Sequence, residues 1–376
     1  MPFLRAGLVF RIAICSLGIG ALPTANPSNA AEKLEVGSVA PKLDVEFWIH
    51  DGNGQFPKVT SFEKGKVYVV EFWATTCGPC IQSMPHLAQL QKQFADKGLQ
   101  IVSISSEPLD KVSAFLKNTI RLEDGKETTI EKVTKGYCLA TDPDGSSEVD
   151  FMLAAKQNTI PSAFIVGKDS RIDWIGHPME MDAVLESVLN NSWDRAGYIA
   201  EKKLIEEIET TIRGFAQRKQ FTEAANALDG FIAKVTDKRI LFGLYKSKID
   251  MQVYAKADNK AIEKTYEALF QSCAKEPLFV QDAAWTAFEK FSEGEIDSKE
   301  IIRMSANAVE KALADVRGGD QANMYDTLAR LSFVIDQLDR AIKAQTKAVQ
   351  LSDGSDQGSF KEFLQELNDA KKSLEK

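Results

Sequence analysis

The chain has 376 residues, 44% of them hydrophobic and 27% charged, with a formal net charge of −8. That length is enough for two or more domains with buried cores. The acidic balance argues against a nucleic-acid-binding protein and against docking on an anionic membrane surface.

Residues 1–31 read as a secretory signal. Arg5 and Arg11 precede an apolar run, Ile12 to Leu22, and a Pro/Asn/Ser spacer then leads to the small residues Ser28-Asn-Ala-Ala31. The run is shorter than the ~20 apolar residues of a spanning helix, and the small residues mark a cleavage site near Ala30 or Ala31. An uncleaved anchor is the alternative. Lipidation at Cys15 is disfavoured, because Ile14 stands where a small residue is wanted. The mature chain is thus expected to be periplasmic or secreted, where disulfides persist.

Val45 to Ile49 followed by Asp51-Gly-Asn-Gly reads as an edge hairpin. Val67 to Trp73, VYVVEFW, is a β-branched and aromatic run typical of a buried strand. The turn Ala74-Thr-Thr76 then delivers Cys77-Gly-Pro-Cys80 to the start of a helix whose apolar stripe is Met84, Leu87, Leu90 and Phe94, ending at Gly98. Leu99 to Ile104 is the next buried strand, joined to the first as a β-α-β unit whose crossover should be right-handed. A short helix is expected at Val112 to Leu116, a strand at Gly136 to Ala140, a helix at Glu148 to Gln157 and a strand at Ala163 to Val166. Ile172 to Ile175 completes a hairpin, and Met181 to Leu189 supplies a closing helix. Eleven of the twelve prolines lie at or before Pro178, which marks a change from a mixed β/α half to a nearly all-helical half near residues 190–196.

Two cysteines spaced as CxxC at a helix start suit redox chemistry for a physical reason. The first helical N–H groups lack partners and the helix dipole favours negative charge there. The thiolate of Cys77, nearer the helix start, is thereby favoured, and the thiolate is the species that attacks disulfides. Cys80 lies one turn on, placed to resolve a mixed disulfide. The competing readings are half of a zinc site and a purely structural disulfide. Zinc wants four ligands, yet beyond Cys80 only Cys138, Cys273, His86 and His177 follow, none paired at ligand spacing. No metal and no organic cofactor is expected. Cys138 and Cys273 sit among apolar residues and read as small core hydrophobes, a bridge between them being the lesser option. His86 could modulate the dithiol weakly, and His177 lies at a turn.

The stretch around the cysteines resembles the active-site strand and helix of thioredoxin-fold proteins, especially exported thiol-disulfide oxidoreductases of the TlpA/ResA type. Glu71, Phe72, Trp73, Ala74, Cys77, Gly78, Pro79, Cys80 and Pro85 carry the likeness, together with a second motif, Asn158-Thr-Ile-Pro161-Ser-Ala-Phe-Ile. The lead-in Val36-Gly-Ser-Val-Ala-Pro41 fits as well. The resemblance covers residues 36–193 and implies an α/β thioredoxin-like fold, a central mixed sheet flanked by helices. It implies Cys77 and Cys80 as the catalytic pair and a cis peptide bond before Pro161. Glu71 matches the buried acid that exchanges a proton with the second cysteine, although thioredoxins carry Asp there; an exposed or edge carboxylate paired with a lysine is the alternative. Ile160, Pro161, Gly78, Pro79, Trp73 and Thr76 become the candidate substrate-binding residues. Thr76 departs from the family, where Trp commonly precedes the first cysteine. The Gly-Pro dipeptide and Ile160 resemble reducing members. Substrates would be disulfide-containing exported proteins, and electrons would come from a membrane thiol donor, because the soluble reductase serves the cytosol. A peroxidase is disfavoured, since Ala74 occupies the place of the peroxiredoxin Thr.

Residues 195–376 read as amphipathic helices, with stripes such as Leu204, Ile205, Ile208, Ile212 and Phe215. Tyr325, Leu328, Ala329, Leu338, Ala341 and Ala348 resemble one tetratricopeptide unit. The half is expected to be an all-α repeat or bundle domain, with a protein partner possible on its surface. The alternative function is a helical-repeat protein-binding scaffold whose thioredoxin-like half mainly docks partners.

Overall fold

The computed structural model describes residues 33–122, 125–352 and 356–375; the secretory leader expected at residues 1–31 lies outside them. The described chain divides into two compact units at Lys203/Leu204, inside a helix that runs Arg195–Gln217.

The first unit is a six-stranded mixed sheet. Its strands are β1 (Phe47–Asp51), β2 (Val67–Trp73), β3 (Leu99–Ser105), β6 (Cys138–Thr141), β7 (Ser162–Val166) and β8 (Ile172–Gly176), in the order β1-β6-β3-β2-β7-β8. A separate hairpin, β4 (Thr119–Arg121) and β5 (Glu127–Thr129), stands apart. β2 and β3 are parallel, as are β3 and β6, whereas β7, β8 and β1 run antiparallel to their neighbours. Every residue of β2 and of β3 is buried, as an apolar run covered on both faces should be.

Helix α1 (Gly78–Phe94) makes the crossover from β2 to β3, and Gly98, at φ 83°, closes the turn after it. Buried Gln91 ties the helix to β3, donating to the Leu99 carbonyl at 2.8 Å and accepting from the Ile101 N–H at 2.7 Å. Val67, Val69 and Trp73 face a core built with α1, α2 (Leu109–Phe115), α3 (Ile130–Thr134) and α5 (Asp182–Leu189). Tyr68, Val70 and Phe72 face the opposite core, closed by Leu34, Leu43, Val59, Phe151 and Met152. Arg195, at the head of α6 (Arg195–Gln217), is held by Asp169 at 2.7 Å and Asp173 at 2.6 Å.

Three details differ from the sequence reading. β1 forms no hairpin with the segment after it; it lies antiparallel to β6, with an irregularity between Trp48 and His50. The residues beyond its turn, Gln55 to Lys58, contain Pro57 and supply no alternating run to pair. The helix expected over 148–157 is a single α-turn, α4 (Ser146–Glu148), that widens into a π-turn at Val149–Leu153. β4 and β5 carry Ile120 as their one apolar side chain, too little for a periodicity signal.

In the second unit, helices α7 (Phe221–Ile232), α8 (Lys238–Tyr254), α9 (Asn259–Ser272), α10 (Pro277–Ser292), α11 (Lys299–Ala312), α12 (Gly319–Val334), α13 (Leu338–Leu351) and α14 (Gln357–Leu374) succeed one another. Neighbours in sequence pack together, α7 on α8, α10 on α11 and α12 on α13 among them. Asp237, Asp258 and Ser298 cap the starts of α8, α9 and α11. Ile262, Tyr266, Leu269, Ile301, Ile302, Val309 and Leu331 share one buried core. No helix among the described residues is long and apolar enough to cross a membrane.

Candidate active site

Cys77 is the N-cap of α1, with extended backbone (φ −88°, ψ 98°), and its sulfur accepts the Cys80 N–H at 3.2 Å. An orphan helical donor is thus aimed at the Cys77 sulfur, where it favours negative charge, and no acidic residue lies in the first turn to oppose it. Pro79 fits that turn because its missing N–H would have had no helical partner. The two cysteines are joined as a disulfide. Cys80 is wholly buried, Cys77 is half-buried, and Thr76, Gly78 and Pro79 are exposed or half-exposed beside it. An incoming sulfur can therefore reach Cys77 alone.

The second motif meets the first here. The Ile160–Pro161 peptide bond is cis, and the Ile160 carbonyl oxygen lies 3.6 Å from the Cys77 sulfur. Pro161 is buried and offers no N–H, while Ile160 is 39% exposed, leaving apolar surface beside the disulfide. A cleft of about 190 Å³ adjoins this loop, lined by Trp73, Ala74, Glu107, Glu148, Met152 and Ile160 among others. Trp73 is only 2% exposed and lies 5.7 Å from Phe115, ring to ring. It floors the turn from within the core rather than standing on the docking surface.

Glu71 lies on β2 with the side-chain parity of Val69 and Trp73, on the face that packs with Cys80 and Met84 of α1. It is 1% exposed, and burial pushes its carboxyl up to about 8 despite the hydrogen bond that Ser103 donates to it. It is thus mostly uncharged at neutral pH, a buried acid on the same side of the sheet as the buried sulfur. The fully buried Tyr137 adjoins it electrostatically; burial, then the Glu71 charge, push that phenol up.

The remaining candidates fall away from the site. His86 is turned to Asp182, 2.8 Å distant, and His177 accepts the Met179 N–H at 3.2 Å as the cap of a short turn. Cys138 and Cys273 are both free and buried, and burial pushes their thiols up to about 11 and about 12. No cluster suited to a metal ion occurs among the described residues.

One site residue escapes a reading of motifs. Glu107, just past β3, receives both the N–H and the hydroxyl of Thr75, at 2.6 and 2.9 Å. The signal available was positional, since polar residues beyond the carboxyl end of a parallel strand are where such sheets build their sites.

The first unit is therefore a thioredoxin-like domain with a CxxC disulfide centre. Its residues 36–175 match the model of the AhpC/TSA family. The chain is 26% identical over 167 residues to Protein FixW of Rhizobium leguminosarum, covering 44% of this chain and 72% of that one. It is 26% identical over 168 residues to the thiol-disulfide oxidoreductase ResA of Bacillus thuringiensis, covering 44% and 84%. Against ResA of Bacillus subtilis it is 31% identical over 117 residues, covering 31% and 61%. Among solved structures, a thiol:disulfide interchange protein of the thioredoxin family from Chlorobium tepidum aligns at 21% identity with a TM-score of 0.29, covering 40% of this chain and 96% of that one.

Proposed function

We propose that this chain is an exported thiol-disulfide oxidoreductase that reduces disulfides of extracytoplasmic proteins through Cys77 and Cys80. The observation that carries the reading is the half-buried Cys77 sulfur at a helix N-terminus, 3.6 Å from the Ile160 carbonyl oxygen. In the reduced protein the Cys77 thiolate attacks one sulfur of a substrate disulfide, and the other substrate sulfur leaves as a thiolate that takes up a proton. Cys80 then gives its proton to the ionised form of Glu71, the minor fraction at neutral pH, and attacks the Cys77 sulfur of the mixed disulfide. The second substrate thiolate leaves and is protonated. The substrate gains two electrons, and the enzyme ends as the Cys77–Cys80 disulfide present in the structure. To reopen it, a donor thiolate attacks Cys77, and protonated Glu71 returns its proton to the departing Cys80. Neither metal nor organic cofactor is required.

The ResA relatives, named as thiol-disulfide oxidoreductases, support the reaction class. The signal-like composition of residues 1–31 supports export, and an exported reductant needs a membrane thiol donor for its electrons. Ile160, Thr76, Gly78 and Pro79 form the rim on which a substrate strand would lie.

The test is stoichiometric reduction of insulin disulfides by the pre-reduced full chain. Wild type should consume one enzyme dithiol per substrate disulfide. Cys80→Ser should stop at a mixed disulfide on Cys77, and Cys77→Ser should do nothing. An inactive wild type, or a Cys77→Ser variant as active as wild type, would remove this function and leave the helical unit as the chain's working part.

A further inference from the structure

The Ala74–Cys77 turn is closed by its own hydrogen bond, from the Cys77 N–H to the Ala74 carbonyl at 3.1 Å. It is also held from outside. Glu107 Oε2 accepts the Thr75 N–H at 2.6 Å, and Oε1 accepts the Thr75 hydroxyl at 2.9 Å. The same carboxylate pairs with Lys111 Nζ of α2 at 2.6 Å and accepts the Ser105 hydroxyl at 3.3 Å. All these partners are donors, so the site is built for a carboxylate that stays ionised. Although burial alone would raise it, the hydrogen bonds from Lys111 and Thr75 hold this acid below the usual carboxylate range.

We infer that Glu107 is a positioning residue for Cys77 with two separable effects: its hydrogen bonds fix the turn that presents the sulfur, and its fixed negative charge opposes ionisation of that sulfur. The second effect bears on the direction of electron flow. A dithiol whose reduced form is stabilised by an acidic thiol is a strong oxidant. A nearby anion works the other way, making the reduced form less stable and the dithiol a better donor. The helix N-terminus makes the thiol more acidic and Glu107 limits that effect, so the two together set a reactive thiol on a reductant. The other ionisable groups round the turn are few. Lys111 offsets part of the Glu107 charge, and Glu148 of α4 lines the same cleft and is engaged by the Ser106 hydroxyl. Glu71 beneath is mostly uncharged at neutral pH, and His86 of α1 is turned to Asp182.

This inference rests on the redox reading of the Cys77–Cys80 pair. It is tested on the reduced full chain by following iodoacetamide alkylation of Cys77 against pH by mass spectrometry, with insulin-disulfide exchange measured alongside. Glu107→Gln removes the charge and keeps one acceptor for Thr75. It should shift the alkylation midpoint down, so that the thiolate population below the midpoint rises about threefold to tenfold, after allowance for Lys111. Its reduction potential should move in the oxidising direction. Thr75→Val and Glu107→Asp retain the charge and loosen the clamp, so they should slow exchange and leave the midpoint where it was. A Glu107→Gln midpoint that is unchanged or raised, in a wild-type background that does exchange, refutes the role of Glu107 alone. If Glu107→Gln does not fold, a midpoint for Glu107→Asp displaced as far as the expected Glu107→Gln shift would refute the charge effect. A wild-type Cys77 that fails to exchange at all overturns both this inference and the function beneath it.

Discussion

Replacing Glu71 with glutamine should make the oxidised protein more stable at neutral pH and a slower enzyme. The folded-state pKa of Glu71 is about 8, against an ordinary value of 4.5. Between those two pH values the folded chain keeps a proton that the unfolded chain has released. The stability contribution is therefore fully present below pH 4.5 and falls as pH rises towards 8, by about 1.4 kcal/mol per pH unit. From pH 4.5 to pH 7 the folded state thus loses roughly 3 kcal/mol. The amide of the Glu71→Gln variant does not titrate and can still accept from Ser103. The stability difference between variant and wild type should accordingly be near its minimum at pH 4.5 and grow by about 3 kcal/mol at pH 7. Urea unfolding of the oxidised proteins across pH 4.5 to 8, followed by tryptophan emission, reads this directly. Four of the five tryptophans, Trp48, Trp73, Trp174 and Trp193, belong to the thioredoxin-like unit. A difference that does not change with pH would show that the carboxyl is not a buried, proton-holding acid. Loss of resolution should appear separately, as a mixed disulfide that persists longer in Glu71→Gln than in wild type.

Cys138 and Cys273 should resist alkylation in the native chain at pH 8 while reduced Cys77 reacts, since burial suppresses both thiolates; mass mapping after a short pulse distinguishes them. In the helical unit Leu269 is fully buried in the largest core, so Leu269→Ala should cost about 2–5 kcal/mol. Circular dichroism during denaturation should show that loss with no change in the exchange rate at Cys77.

Residues 67–85 were legible in the sequence because several signals coincide there. VYVVEFW is apolar enough to be a strand buried on both faces, and CGPC has the spacing that caps a helix with sulfur. Glu71 was legible through its likeness to the buried acid of thioredoxins, six residues before Cys77; its burial on β2 is a finding of the structure. The π-turn at Val149–Leu153 was not, because its composition is that of any short helix and its width is set by packing of Phe151 and Met152 against the sheet. The partner of β1 was equally hidden. Local turn chemistry suggested a hairpin, and the true neighbour, β6, lies far along the chain, with Cys138 opposite Asp51. Glu107 illustrates the same limit at the site. Its partner Thr75 is 32 residues away, brought near only by the parallel pairing of β2 with β3.

The equilibrium of the Cys77–Cys80 pair with glutathione redox buffers tests the account most directly, with the two forms counted by thiol alkylation and mass. A single two-electron transition near the thioredoxin end of the scale, about −270 mV, is the expected result. A pair that does not exchange with the buffer, or one poised near the strongly oxidising end at about −120 mV, would contradict it.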